Sequence, residues 1–491
     1  MIKEQNHRER DYIDFKLYLT TAPNESAFCQ VSLLPTPEVG ESILPVVVPI
    51  EKRPTEMIQW DLEDKHITLQ NLVVVGKQLA DCLLPEGDIR KAFEWAYKVA
   101  SEDKKRDRGV RLRLIIADHR LKAFPWEFVY LNLPPRQADS MAGFLALDGR
   151  VSIVRHEPLL NAHPTIGPVD EDIEDLQMVI ATALPKGQAM LDLEREVANV
   201  QTAVKDFNVN GIKLTIEKTI QSTTRQDIEK LPKKTYIFHF AGHGVINVER
   251  DRFQKGNTRK SEGALVLEAD KFSGAEDLMS ANDVANALDN AGVRLAFLGA
   301  CQTGARDENY PWDTIAGALA ARRIPAILAM QHKVEDEAAV AFSEAFYMAL
   351  AAGLSLDEAM FMGRRATLFD LFKNPDLRHK VPIEWGVPVL YSRLPDGKLF
   401  PERMKNPKEA AEKFRTVIEQ SLDLVDKDGN VVGVRAGLVK SGVKVMHNFG
   451  TVKGEVIGAI VGTLGEEAQI KVEQKAKKVS GSMTGLVIDE L

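Results

Sequence analysis

Two stretches decide how this chain of 491 residues folds: Tyr236-Ile237-Phe238-His239-Phe240-Ala241-Gly242-His243-Gly244 and Leu295-Ala296-Phe297-Leu298-Gly299-Ala300-Cys301-Gln302-Thr303-Gly304. Each begins as a short apolar run and then meets a reactive residue among glycines. A run of this length, apolar at successive positions rather than alternate ones, reads as a strand buried on both faces. Working outward, similar strands are predicted at residues 175–184, 213–217, 236–241, 294–299 and 326–330, with a last one at 386–391. Amphipathic helices alternate with them at 191–206, 224–231, 281–290, 315–322 and 338–352. That alternation predicts an α/β domain with a mainly parallel sheet covered by helices on both faces.

The carboxyl ends of parallel strands share one edge of the sheet, and sites are built there. A histidine and a cysteine from two such ends can meet. A thiol is only a few per cent thiolate at neutral pH, so a cysteine nucleophile gains from a neighbouring cation. His243 can supply a proton to a leaving amine, and the backbone N–H groups of Gly244 and Cys301 can face a developing oxyanion. Together they would make a minimal peptidase. Other readings compete residue by residue. A cysteine after a strand is usually inert packing. His239 and His243 lie four apart, a metal-ligand spacing on a helix, but the surrounding residues say strand and turn, and no acidic third ligand stands at a familiar distance. His239 is read as structural, and no metal or cofactor is implied. A phosphate-binding loop is excluded, since no GxxxxGK[ST] occurs and the glycine-containing segment 461–469 lacks the lysine.

Composition sets the outer bounds. The chain is 44% hydrophobic and 27% charged with a net charge of −8, the balance of a globular protein without a global positive field for nucleic acid. Three cysteines, Cys29, Cys82 and Cys301, are too few and too scattered for a disulfide framework or a CxxC metal site. The polar N-terminus and the lack of a membrane-length apolar run lead us to expect a cytoplasmic protein.

The order of elements predicts four regions. Residues 1–170 form an α+β region, with paired strands at 12–21 and 27–34 and two helices between 66 and 101 that place Cys82 on an apolar stripe. Phe124-Pro125-Trp126-Glu127-Phe128 reads as a packed corner. The α/β domain spans 171–400, and 401–425 is a linker with a polar helix. Residues 426–491 form a small β-rich module. In it Asp428-Gly429 signals a type I′ hairpin between 422–425 and 431–434. Gly-x-Val/Met-x-Gly recurs at 429–433, 450–454 and 481–485, spaced too irregularly for a solenoid.

The pair HFAGHG and LGACQTG, 58 positions apart (301 − 243), resembles the CHAT family of caspase-like peptidases. The likeness extends to Gly263–Leu267, Ser280–Val284, Arg323–Met330, Val334–Ala338, the helix with Arg364-Arg365-Ala366, Gly353-Leu354-Ser355-Leu356-Asp357-Glu358-Ala359-Met360, Trp385-Gly386 and the upstream Pro-Trp-Glu element. The resemblance implies a caspase-like fold and an intracellular cysteine endopeptidase with His243 and Cys301 as its dyad. It also implies a specific protein substrate and a role in bacterial stress, antiviral defence or cell death. The sequence departs from the family at Arg323-Ile324-Pro325 and at Gln331-His332. It also has Gly299 where some caspase-fold relatives that cut after Lys or Arg carry Asp. No 34-residue period announces tetratricopeptide repeats.

Segment 305–313 is expected to line the cleft, with Asp307 and Asp313 as substrate-pocket residues, although Asp313 could instead cap the following helix. The β-rich module is expected to recruit a regulatory partner or a second copy of the chain, or else to pack as an extension of the main domain. The alternative to a peptidase is a caspase-fold scaffold that signals without cutting.

Overall fold

The computed structural model describes residues 10–400 and 416–488, apart from 23–24, 41–42, 50–66, 104–105, 134–139, 158–174, 206, 210–211, 251–258, 303–310, 323, 333, 335, 373–382, 426–429, 440–442, 453–454, 465–469 and 480–481. The chain divides into two compact units, Met1–Pro401 and Glu402–Leu491. No helix among the described residues is long and apolar enough to cross a membrane.

The first unit is built on one sheet. Its N-terminal strands are β1 (Asp11–Ala22), β2 (Glu25–Leu34), β3 (Ile43–Pro49), β4 (Arg108–Ile116) and β5 (Val151–Arg155). The later ones are β6 (Asp175–Thr182), β7 (Asn208–Val209), β8 (Ile212–Ile220), β9 (Thr235–Arg250), β10 (Arg259–Glu268), β11 (Glu276–Ser280), β12 (Leu295–Gln302), β13 (Ala326–Met330) and β14 (Pro388–Ser392). The order is β3-β2-β1-β4-β5-β14-β13-β12-β9-β6-β8-β7, and β10 and β11 extend from β9 as an antiparallel arm. The pairs running β13-β12-β9-β6-β8 and β1-β4-β5-β14 are all parallel, while β13 and β14 run antiparallel. This is the mixed, mostly parallel α/β sheet that the alternating pattern predicts. The division at residue 171 falls inside it, since β5 joins β14 through Arg155 and Tyr391.

Eight helices of five or more residues flank the sheet among the described residues: α1 (Leu69–Leu83), α2 (Asp88–Glu102), α3 (Leu193–Val204), α4 (Arg225–Glu229), α5 (Ala281–Ala291), α6 (Pro311–Ala321), α7 (Asp336–Ala351) and α8 (Leu356–Phe372). Successive residues of one strand feed different cores. Leu295 and Phe297 of β12 pack with Val200 of α3 and Phe342 and Phe346 of α7, whereas Ala296 and Leu298 pack with Val284 of α5 and Leu319 of α6. Both faces of the strand are apolar because both are covered. The N-terminal region buries Phe15, Cys29, Cys82 and Phe93 in a third cluster with Trp126 and Trp385.

The second unit differs from its expected form. Residues 416–425, expected to belong to a helical linker, are strand β15 (Thr416–Val425), which precedes β16 (Asn430–Val439), β17 (Val443–Val452), β18 (Glu455–Leu464), β19 (Ile470–Val479) and β20 (Ser482–Ile488). Asp428-Gly429 lies outside the described residues, and the strands β15 and β16 on either side of it, expected to pair as a hairpin, belong to different sheets. β15 pairs with β17 and β17 with β19, while β16, β18 and β20 make a separate sheet, and every pairing is parallel. This is a two-sided solenoid of three turns, so the reading against a solenoid is also corrected. In the described strands the glycines that align are Gly433, Gly458 and Gly485, and Gly458 lies outside the instance expected at 450–454.

Several motifs that carry the family resemblance turn out to be structural. Ser355 and Glu358 form a reciprocal cap at the start of α8: the Glu358 amide donates to Ser355 Oγ (3.3 Å) and the Ser355 amide to Glu358 Oε2 (3.2 Å). Trp126 donates to the Leu121 carbonyl (2.8 Å), and buried Glu127 pairs with Arg155 at 3.0 Å. Arg155 also donates to Gln331 (3.1 Å), whose amide reaches the Ala123 carbonyl (3.3 Å), so Gln331 serves packing around this corner. A Cβ at Gly386 would overlap the Phe128 ring, which ties the Trp-Gly element to the Pro-Trp-Glu corner.

A fully buried charge pair joins β4 to α8. Arg111 donates from Nε and Nη2 to the two oxygens of Asp357 (2.8 and 2.6 Å), and Ser152 Oγ donates to the same carboxylate (2.5 Å). Gly397, at φ +74°, closes over it where a Cβ would overlap the carboxylate. Burial pushes the Asp357 carboxyl up, but Arg111, Ser152 and Arg113 together outweigh it and the group titrates below its ordinary value. The charged pair therefore stabilises the fold above the unfolded carboxyl range of about 4, and that contribution is lost as pH falls through the folded value. Asp357→Asn should cost about 3 kcal/mol at neutral pH by urea unfolding, because it strands a buried guanidinium. The difference from wild type should shrink below about pH 4, and a constant difference down to acid pH would exclude this pairing as its source.

Candidate active site

The parallel pairing of β12 with β9 runs from Leu295 opposite Ile237 to Gln302 opposite Gly244, and within it Cys301 is the register partner of His243. Neighbouring strands lie about 4.8 Å apart, so the register alone brings the two backbones to adjacent positions. Cys301 lies one residue from the end of β12. His243 does not end its strand, because β9 continues to Arg250 and pairs with β10, His243 opposite Val266. The glycines were expected to mark a strand end, but the β10 arm supplies a ladder partner that keeps the backbone extended.

His243 is fully buried, and its Nε2 donates to the Ala189 carbonyl at 2.9 Å. Since a carbonyl can only accept, this contact places a proton on Nε2 and fixes the ring's orientation. Gly244 occupies the last pair of the β9–β12 ladder, opposite Gln302, and faces Leu265 on its other side. Asp307 lies outside the described residues. Asp313 falls within the first turn of α6, which starts at Pro311, so it does not precede the helix as a cap.

Four residues before His243, His239 is wholly buried and held from three sides. Its Nδ1 meets the Tyr347 hydroxyl at 3.1 Å, its ring stacks on Phe297 at 4.6 Å, and its Nε2 lies 3.2 Å from Glu196 Oε1. The last contact is close enough for an ion pair but too poorly aligned for a hydrogen bond. His239 is a structural histidine, as its place in the strand suggests.

Beside these residues lies a recess lined by Asp192, Glu196, Gly299 and Asp336 with Leu191, Ala339 and Val340. Three carboxylates and no cation line it. Asp336, at the start of α7, accepts from the Asp192 amide (3.3 Å). Burial raises its carboxyl above the ordinary value against the hydrogen bond from the Asp192 amide, the charges of Asp192 and Glu196 raise it further, and His243 opposes it. Sequence reasoning missed this recess. Glu196 sits on an amphipathic helix like any solvated acid, and only the packing of α3 against the sheet buries it.

Gly299 is the point where strand and recess meet. A Cβ there would lie 2.9 Å from the Phe297 ring and 3.0 Å from Glu196 Oε1. The aspartate that some caspase-fold relatives carry at this position has no room here, because the space is already taken by a carboxylate from α3.

An α/β sheet with a histidine and a cysteine in register on adjacent parallel strands, flanked by helices on both faces, defines the class of this protein. The chain belongs to the CHAT domain family, which it matches over residues 74–391. Among solved structures it is similar to the Arg-specific cysteine proteinase gingipain R, with 13% identity over 72% of this chain and 80% of that one, at a TM-score of 0.37. It is also similar to Saccharomyces cerevisiae separase in complex with securin, with 13% identity over 78% of this chain and 30% of that one, at a TM-score of 0.37. A third is the complex of Porphyromonas gingivalis RgpB pro- and mature domains, with 14% identity, 72% and 78% of the two chains covered and a TM-score of 0.35. No curated protein matches the chain.

Gly299→Asp should lower stability by about 2 kcal/mol through overpacking and like-charge repulsion, read as a lower thermal midpoint. Adding Glu196→Gln should recover part of that loss. An unshifted midpoint in the single variant would show that Glu196 does not fill the site.

Proposed function

We propose that this chain is a cysteine endopeptidase in which Cys301 is the nucleophile and His243 the proton-transfer group. The observation that carries the reading is their pairing in the β9–β12 register, with His243 buried and oriented by the Ala189 carbonyl. In this reading Nδ1 exchanges the proton with the thiol, consistent with the Nε2 contact to the Ala189 carbonyl. The Cys301 thiolate attacks the scissile carbonyl carbon, and the protonated His243 gives its proton to the departing amine as the carbon–nitrogen bond breaks. Water then attacks the thioester with His243 as base, releasing the acid and restoring the thiol. Backbone amides of Cys301 and Gly244 are the oxyanion donors, Gly244 acting where the β9–β12 ladder ends. No cofactor is needed for these steps.

Family membership supports a specific protein as substrate and a regulated role in a bacterial defence or cell-death response, in the cytoplasm. A scaffold that keeps the fold would have no physical requirement for a thiol and an imidazole at paired positions. Purified protein incubated with a peptide library should yield defined cleavage products. Cys301→Ala and His243→Ala should each reduce cleavage at least 1,000-fold with the thermal midpoint near wild type, because the two groups act as a unit. Iodoacetamide should modify Cys301 first, since Cys29 and Cys82 are buried, and the neighbouring Cys82 thiol and burial both push the Cys29 thiol up. Cleavage at the wild-type rate by Cys301→Ala would end the peptidase reading and favour the scaffold.

A further inference from the structure

The second unit carries an inference that is independent of the peptidase reading. Each turn of its solenoid contributes one strand to each sheet, and the turns superpose by register. Thr416 aligns with Val443 and Val443 with Ile470, two steps of 27 residues. In the other sheet Asn430 aligns with Glu455 and Glu455 with Ser482, steps of 25 and 27. Chemically similar residues recur at equivalent positions: Ile418, Val445 and Val472; Gln420, His447 and Gln474; Val425, Val452 and Val479. Gly433, Gly458 and Gly485 occupy one step of the second sheet, between the pairs that flank them.

Such a stack has two ends. β15 and β16 form one, β19 and β20 the other, and among the described residues no strand pairs with the outer side of any of them. An edge strand presents unpaired backbone groups and templates the addition of another strand. The ends differ in charge. β15 contains Glu419 and Asp423 and no Lys or Arg, whereas β19 contains Lys471, Lys475, Lys477 and Lys478 against a single acid, Glu473.

We propose that the solenoid end formed by β19 and β20 binds the β15 and β16 end of a second copy of this chain, continuing the same parallel register from molecule to molecule. Continuation sets Ile470 against Thr416 and Val479 against Val425 of the next copy. Lys477 then lies opposite Asp423. Glu473 falls opposite Glu419, with Lys471 and Lys475 two residues to either side. Pairing like ends would instead bring acid to acid or lysine to lysine, which disfavours a closed two-fold dimer. A contact between different ends that continues one stacking register leaves a free end on each side, so the assembly is open and grows with concentration.

The test uses the full-length chain in sedimentation velocity across a concentration series, at low and high salt. Wild type should form a ladder of species beyond the dimer, weakened by salt. Lys477→Asp and Asp423→Lys should each shift self-association to at least about tenfold higher concentration, since each sets like charges opposite one another. The chain carrying both substitutions restores opposite charges at the contact and should associate like wild type. That rescue separates a lost contact from a lost fold. A wild type that stays monomeric or saturates as a dimer would overturn the proposal, as would single variants that associate normally or a double variant without rescue.

Discussion

The site of this protein depends on the register between β9 and β12. Eight consecutive pairs set Cys301 against His243, and a slip of one residue would move the cysteine beside a glycine and turn alternate side chains to the other face of the sheet. Both faces forbid that slip. Phe297 of β12 is committed to one core and Leu298 to the other, and Ile237 and Phe238 of β9 are divided in the same way. The pairing is therefore fixed by two helical layers. The β10 arm adds a further constraint, because pairing Val266 with His243 keeps the backbone extended beyond the glycines.

Around this register the interior holds several buried polar groups. His239, Tyr347 and Glu196 lie inside the sheet–helix interface on the α3 and α7 side, and Glu196 takes the volume that a side chain at position 299 would need. Farther along the sheet, Glu127 with Arg155 and Arg111 with Asp357 bind the N-terminal region to the later strands. Arg364 donates to the Trp385 and Pro388 carbonyls (both 2.8 Å), and burial pushes its guanidinium down to about 10. Each group is costly to bury alone and is held by partners distant in sequence. The Arg111–Asp357 pair alone ties positions 246 residues apart in the chain.

The second unit follows a different logic. Its strands find their partners a turn of about 27 residues away rather than across the nearest reversal, and what repeats is a backbone step with a glycine at a constant place. An edge at each end follows directly from that construction, whereas the β9–β12 pairing of the first unit has strands on both sides.

Much of this was legible in the residues themselves. Largely apolar runs at 237–241 and 295–299 read as strands covered on both sides, and the histidine and the cysteine that follow them fall on two such strands. Cys82 on an apolar stripe and the Trp126 corner were readable for the same reason: local pattern and burial coincide. The recess of Asp192, Glu196, Gly299 and Asp336 was not readable, since its members lie in three elements and nothing in their spacing says that α3 will set its acid against β12. The hairpin signal at Asp428-Gly429 misled because turn residues fix only a reversal of direction. Which strand then becomes the neighbour is decided by the match between whole turns, and that match exists only once the chain has coiled on itself.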